Sequence, residues 1–163
     1  MAVKLLTWNI RRGFHNSDHV IENDRLAAAQ DLVNVEDPDV ICFIEACYAR
    51  HNSTGSFINY KSLFPFSYYF VSHYPFFGKS KSDIGANVIL SRFPITASSV
   101  SLDNKSAIRA GIRLDDRVLH IDVVHPSVSI SDSQKICALD PLLSNRADSS
   151  YVLTGDFNSL SPD

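Results

Sequence analysis

The residues best suited to chemistry stand at the ends of apolar runs. Tyr151-Val-Leu153 is a short run of strand-forming type that leads through Thr154 and Gly155 into Asp156-Phe157-Asn158. If the backbone stays extended past the glycine, a period of two points Asp156 and Asn158 to one side and Phe157 to the core. A carboxylate and a carboxamide then share one rim. The carboxylate offers hard oxygen to a magnesium-type cation, and the amide NH2 can donate to a phosphate oxygen. Three other runs also end on polar groups, namely Asn9, Glu45 and His125. In layered α/β folds, ligands gather where strand ends open to solvent.

Together these groups match what phosphoester cleavage needs: charge neutralisation on the phosphoryl oxygens and an in-line nucleophile. Glu45 is placed to hold Mg2+ or Mn2+ as Lewis acid and template. Asn9, Asn158 and His125 can donate hydrogen bonds as charge builds. Arg11 or Arg12 can grip a phosphate. Each group also has a plain alternative. Gly-Asp-x-Asn is a common turn after a strand, a histidine before proline is often structural, and surface arginines solvate a face.

The elements that must carry these residues can be read in order. Val3 to Ile10 is a strand that opens into a loop at Arg11-Arg12-Gly13. Val20 to Val35 reads as an amphipathic helix with Ile21, Ala28, Leu32 and Val35 on its apolar face. Asp37-Pro38 breaks it. Asp39 to Glu45 is a nearly continuous apolar run, hence a buried strand ending on Glu45. Strand, helix, strand predicts layered α/β architecture. Ten of the 17 aromatic residues fall between Phe57 and Phe77, which reads as core packing around one strand near Tyr68–Ser72. Strands follow at Asn87–Ser91, Ile95–Leu102, Ala107–Leu114 and Val118–Val124. A helix over Ser131–Asn145 carries Ile136, Leu139 and Leu143 and bends near Pro141. The Tyr151 strand closes the order.

Composition sets the outer limits. The chain has 163 residues, suits one domain over 1–163, and is 45% apolar and 20% charged, as expected of a soluble globular protein. A net charge of −3 argues against coating nucleic acid by bulk charge, although a basic cleft around Arg11, Arg12, Lys79 and Lys81 is compatible with it. Three cysteines, Cys42, Cys47 and Cys137, suggest thiols in a reducing compartment rather than a disulfide framework. The N-terminus has no secretion signal and no run reaches membrane-spanning length, so a cytoplasmic location is expected. A zinc site drawn from Cys42, Cys47, His15 and His19 has poor spacing.

Five segments in order carry a family resemblance: Leu6-Thr-Trp-Asn-Ile10, Asp39 to Glu45, Gly85-Ala-Asn-Val-Ile-Leu-Ser-Arg-Phe-Pro-Ile95, His120-Ile-Asp-Val-Val-His125 and Gly155-Asp-Phe-Asn158. From about residue 4 onward the chain resembles the endonuclease/exonuclease/phosphatase superfamily, which includes deoxyribonuclease I-like and exonuclease III-like enzymes and neutral sphingomyelinases. The resemblance implies an α/β sandwich of two mostly antiparallel sheets flanked by helices, and a magnesium-dependent (or Mn2+-dependent) phosphoesterase. It implies Glu45 as metal ligand, with Asn9 near metal and phosphate. Asp156 and Asn158 orient the attacking water and hold phosphate, and His125 matches the family's Thr-His-Leu histidine, here between Val and Pro. The implied substrate is a phosphate ester: nucleic acid, phospholipid headgroup or sugar phosphate. The family's closing Ser-Asp-His motif has no match. The expectation is therefore a second sheet incomplete at the C-terminus, little activity from this chain alone, and self-association through the open edge of the Tyr151 strand. The rival expectation is a degenerate, non-catalytic member that binds a phosphate-bearing ligand or protein.

Overall fold

The structure is a computed structural model that describes residues 2–16, 20–50, 59–76, 83–102, 105–144 and 150–158, with residues 47–50, 75–76 and 83–84 described by backbone alone. Among the described residues, eight strands form two four-stranded sheets. In the first, β1 (Leu5–Asn9), β2 (Val40–Arg50), β4 (Asp83–Ser91) and β3 (Tyr68–Phe76) lie side by side in that order. In the second, the order is β5 (Ile95–Leu102), β6 (Lys105–Arg113), β7 (Val118–Val124) and β8 (Tyr151–Gly155). The pairs β1–β2 and β7–β8 are parallel and all others antiparallel. Each parallel pair needs a crossover, and the helices α1 (Asn23–Glu36) and α3 (Asp132–Ser144) provide them. A one-turn helix, α2 (Tyr60–Leu63), precedes β3. No described helix is long and apolar enough to cross a membrane.

Strand alternation sorts the core into three seams. On β2, Val40, Cys42 and Ile44 face the second sheet and meet Ile108, Ala110, Ile112, Ile121 and Val123 there. Ile41 and Phe43 face the other way, onto Ala29 and Val33 of α1 and the aromatic group Phe14, Tyr60, Phe64 and Phe66. The third seam packs Leu139 and Leu142 of α3 against Leu102, Ala107 and Val124. The order is thus helix, sheet, sheet, helix, the α/β sandwich expected. Each fully buried large side chain contributes about 1.5–3 kcal/mol. Of the cluster's aromatics whose side chains are described, Tyr60, Phe64, Phe66 and Tyr74 are core and Phe70 packs partly buried, whereas Tyr68 and Tyr69 are exposed.

Three expectations need correction. First, α1 does not bury Ala28, Leu32 and Val35; Val35 is 80% exposed, and Leu26, Ala29 and Val33 face inward. The helix starts at Asn23, so Val20 and Ile21 never extend the expected stripe. Its rotation is fixed by polar ties: Arg25 donates to the Ile10 and Arg11 carbonyls, and Gln30 to the Leu63 carbonyl. Second, α3 turns Ile136 and Leu143 outward and Lys135, Leu139 and Leu142 inward, and it runs through Pro141 to Ser144. The Lys135 amine is drawn in by the Asn158 carbonyl and the Asp132 carboxylate. Third, β2 does not end at Glu45. It continues to Arg50 through a bulge in which Ile44, Glu45 and Ala46 stand opposite Asn87, with Glu45 at φ 53°.

Candidate active site

Four elements deliver the site. β1 ends on Asn9, and its ladder continues one step as the Ile10 N–H donates to the Ile44 carbonyl at 3.0 Å. The bulge in β2 swings Glu45 out of the pleat, as bulges do when they re-aim a side chain. The following loop must press against that bulge. Gly13, at φ 59°, lies so close that a Cβ would stand 2.4 Å from the Ala46 carbonyl oxygen. β7 delivers His125 and β8 delivers Asp156. At their junction Gly155, at φ 151°, has room for no side chain, since a Cβ would fall 1.9 Å from the Val124 carbonyl oxygen. The Asp156 N–H then donates to that carbonyl at 3.2 Å.

Asn9 links the two sheets. Its NH2 donates to Asp156 Oδ2 at 2.8 Å and to Glu45 Oε1 at 3.4 Å. Two residues back along each strand, the Thr7 and Thr154 hydroxyls meet at 2.7 Å and latch β1 to β8. Asn9 Oδ1 accepts the Arg11 N–H at 2.9 Å, so the amide offers its NH2, not its oxygen, to the carboxylates. His125 Nε2 stands 3.6 Å from Glu45 Oε1, and its Nδ1 lies 3.2 Å from the Tyr74 hydroxyl. Asn9, Glu45, His125 and Asp156 therefore form one continuous chain of contacts.

Asn158 joins them by a different route. The backbone is not extended there: Asn158 has φ 48°, and its N–H donates to Asp156 Oδ1 at 3.0 Å. Its side-chain NH2 donates to the Pro126 carbonyl at 2.9 Å, so the amide ties β8 to the segment after His125. Phe157 packs on the α3 seam. Arg11 and Arg12 follow Asn9 at φ 43° and 60°, with Arg11 exposed. Lys79, Lys81 and His19 lie outside the described residues, as does the Cys47 side chain. Cys42 sits between the sheets, and His15 Nδ1 is 3.0 Å from the Arg12 carbonyl.

Burial and charge set the protonation states. Burial, with the Lys105 charge beside it, pushes His125 down to about 4 against the pull of Glu45 and Asp156, so the ring is neutral at pH 7. Burial pushes Asp156 up, yet the Asn9 and Asn158 hydrogen bonds, the adjacent His125 ring once protonated, and the Lys105 charge hold it below its ordinary value. Lys105 is lowered by burial, opposed by the attraction of Glu45 and Asp156. Sequence reading missed Tyr74 and Lys105. Tyr74 was one aromatic in a crowded stretch, and Lys105 one surface-type cation at a strand start; neither carries a spacing signal.

The family model for the endonuclease/exonuclease/phosphatase family matches residues 6–163. The chain belongs to that family. No curated protein matches it significantly. Among solved structures it is similar to an endonuclease/exonuclease/phosphatase from Beutenbergia cavernae (TM-score 0.72, 19% identity), covering 96% of this chain and 47% of that one. D. rerio TDP2 complexed with a single-strand DNA product is also similar (TM-score 0.66, 12% identity), covering 98% of this chain and 62% of that one. So is ANGEL2, a 2',3'-cyclic phosphatase, in complex with adenosine-2',3'-vanadate (TM-score 0.65, 13% identity), covering 97% and 54%. At these identities the likeness is one of fold, and this chain spans less than two thirds of each of these family-like structures.

The donor set also tests which ion fits. Among the described residues no group of three or more His, Cys, Asp or Glu is gathered closely enough to enclose a metal ion, as a closed zinc-type cage would need. Two carboxylates sharing one amide NH2 offer hard oxygen from one side only. That suits Mg2+, which keeps several waters and takes one or two carboxylates.

Proposed function

We propose that this rim is the catalytic site of a magnesium-dependent phosphoesterase. The observation that carries the reading is the convergence of Asn9, Glu45, His125 and Asp156, from both sheets, into one chain of contacts no longer than 3.6 Å. Glu45 and Asp156 would hold Mg2+ or Mn2+, which supplies Lewis-acid polarisation of a phosphoryl oxygen. Asn9 keeps the two carboxylates together and offsets their repulsion. Asp156, low in proton affinity, stays an acceptor and orients the attacking water. His125, neutral, donates a hydrogen bond to phosphoryl oxygen as charge builds. Asn158 fixes the Asp156 carboxylate through its N–H. Arg11 and Arg12, in strained left-handed backbone next to Asn9, are proposed to grip the substrate phosphate.

The substrate class is a phosphate ester. TDP2 with its single-strand DNA product and ANGEL2 as a 2',3'-cyclic phosphatase favour a nucleotide-type ester over a lipid headgroup or sugar phosphate. Cys42 and Cys137, both free thiols, support the cytoplasmic setting. Both ring nitrogens of His125 are already faced by Tyr74 and Glu45, and Asp156 is a weak base. The 163-residue chain by itself should therefore turn over slowly, short of the roughly 10²–10⁴-fold that a placed acid–base group gives.

The test is release of nitrophenol from a chromogenic phosphodiester and from a chromogenic phosphomonoester, and ring opening of a 2',3'-cyclic nucleotide to its 2'- or 3'-monophosphate read by chromatography, each with Mg2+ or Mn2+ and with EDTA. The reading predicts weak, metal-dependent turnover that Glu45→Gln and Asp156→Asn abolish. Turnover that persists in EDTA or in both variants overturns it. Phosphate binding without any turnover would instead mark a non-catalytic family member.

A further inference from the structure

Tyr74 is 2% exposed, and its ring stands edge-on to the His125 ring, with centroids 6.2 Å apart at 71°. The chain makes space for it. A Cβ on Gly85, the residue paired with Tyr74 across β3 and β4, would lie 2.3 Å from Tyr74 Cε2. On the ring itself, Lys105 Nζ lies 4.5 Å from the centroid. A cation over a phenol draws electron density from the ring, which makes the hydroxyl a better donor and a poorer acceptor.

The two sides of the His125 ring then demand different tautomers. A neutral imidazole has one N–H and one bare nitrogen, and the partner of each fixes which is which. Nε2 faces a Glu45 carboxylate oxygen at 3.6 Å; a lone pair there would face negative charge, whereas an N–H faces it favourably. Nδ1 faces the Tyr74 hydroxyl at 3.2 Å, which can donate to it. We infer that Tyr74 is a positioning residue that fixes His125 as the Nε2–H tautomer and so aims a hydrogen-bond donor, not a base, at the Glu45 corner of the rim. Lys105 reinforces the Tyr74 donor from the ring face. The tautomer stands on geometry alone; its use in hydrolysis rests on the phosphoesterase reading above.

The experiment is a long-range 1H–15N correlation spectrum of the full chain labelled with 15N-histidine, at neutral pH. The expected His125 pattern is a protonated Nε2 and a bare, hydrogen-bonded Nδ1. In Tyr74→Phe the Nδ1 signal should move to the position of a nitrogen without a donor, with a second population protonated at Nδ1. Lys105→Met should move it in the same direction by less. A wild-type His125 protonated at Nδ1 overturns the inference, and so does a Tyr74→Phe spectrum with unchanged ring signals. The wild-type pattern decides even if Tyr74→Phe does not fold. If the chain shows the expected pattern yet no metal-dependent hydrolysis, the phosphoesterase reading fails while this one stands.

Discussion

Asn9 shows what a sequence can and cannot reveal about a single residue. Its type and its place at a strand end were legible, because phosphoester chemistry calls for amides and carboxylates at such ends. Its orientation was not, because the two carboxylates that hold its NH2 come from 36 and 147 residues away. The same holds for Asn158, whose left-handed backbone turns its amide to Pro126 instead of outward with Asp156. Tyr74 became visible only when folding set it against His125. Cysteine reactivity also belongs to this scale. Cys42 is fully buried, and burial pushes its thiol far above the ordinary range, while Cys137 on α3 is exposed. Reaction needs the thiolate and access to it. In the native chain a thiol reagent should label Cys137 and spare Cys42 until the chain is unfolded, as read by peptide mass spectrometry. Labelling of Cys42 at the rate of Cys137 would contradict the inter-sheet placement.

At the scale of elements, strands were more legible than helix faces. β5 and β7 lie where the apolar runs put them, because a strand's period of two leaves little freedom once one face is buried. The helix α1 carries apolar residues on two sides, and Arg25 and Gln30 decide which side turns inward by binding carbonyls of Ile10 and Leu63. Glu45 was placed at a strand end on the strength of an apolar run that stops there. The bulge that carries it is set by pairing with β4 and by the fit of Gly13 against Ala46, which one strand's sequence does not contain. The corrected face of α1 makes a direct prediction. Val33→Ala, at a buried position, should cost on the order of 2 kcal/mol. Val35→Ala, at an exposed one, should stay within about 0.5 kcal/mol. Urea denaturation measures both; equal losses would contradict the corrected face, and a larger loss in Val35→Ala would restore the face read from periodicity.

At the scale of the molecule, the two sheets meet at β1 and β8, each at the end of its sheet order and latched by Thr7 with Thr154 and by Asn9 with Asp156. The layered fold was legible because strand–helix–strand order and five motifs in register agree; the meeting of β1 with β8 was not, since it depends on how two sheets stack. On its side away from β7, β8 pairs with no described strand. Such an edge recruits other chains, so sedimentation velocity on the 163-residue chain should show concentration-dependent association, and a monomer at all concentrations would contradict it. The same stacking creates the shared corner of Glu45 and Asp156 on which the functional account rests. Mn2+ titration, followed by the loss of its free EPR signal, tests that corner most directly. The account predicts one site in the chain, weakened in Glu45→Gln and in Asp156→Asn by more than the roughly 10–100-fold that loss of an outer-shell partner costs. Equal Mn2+ binding by the chain and both variants would contradict it.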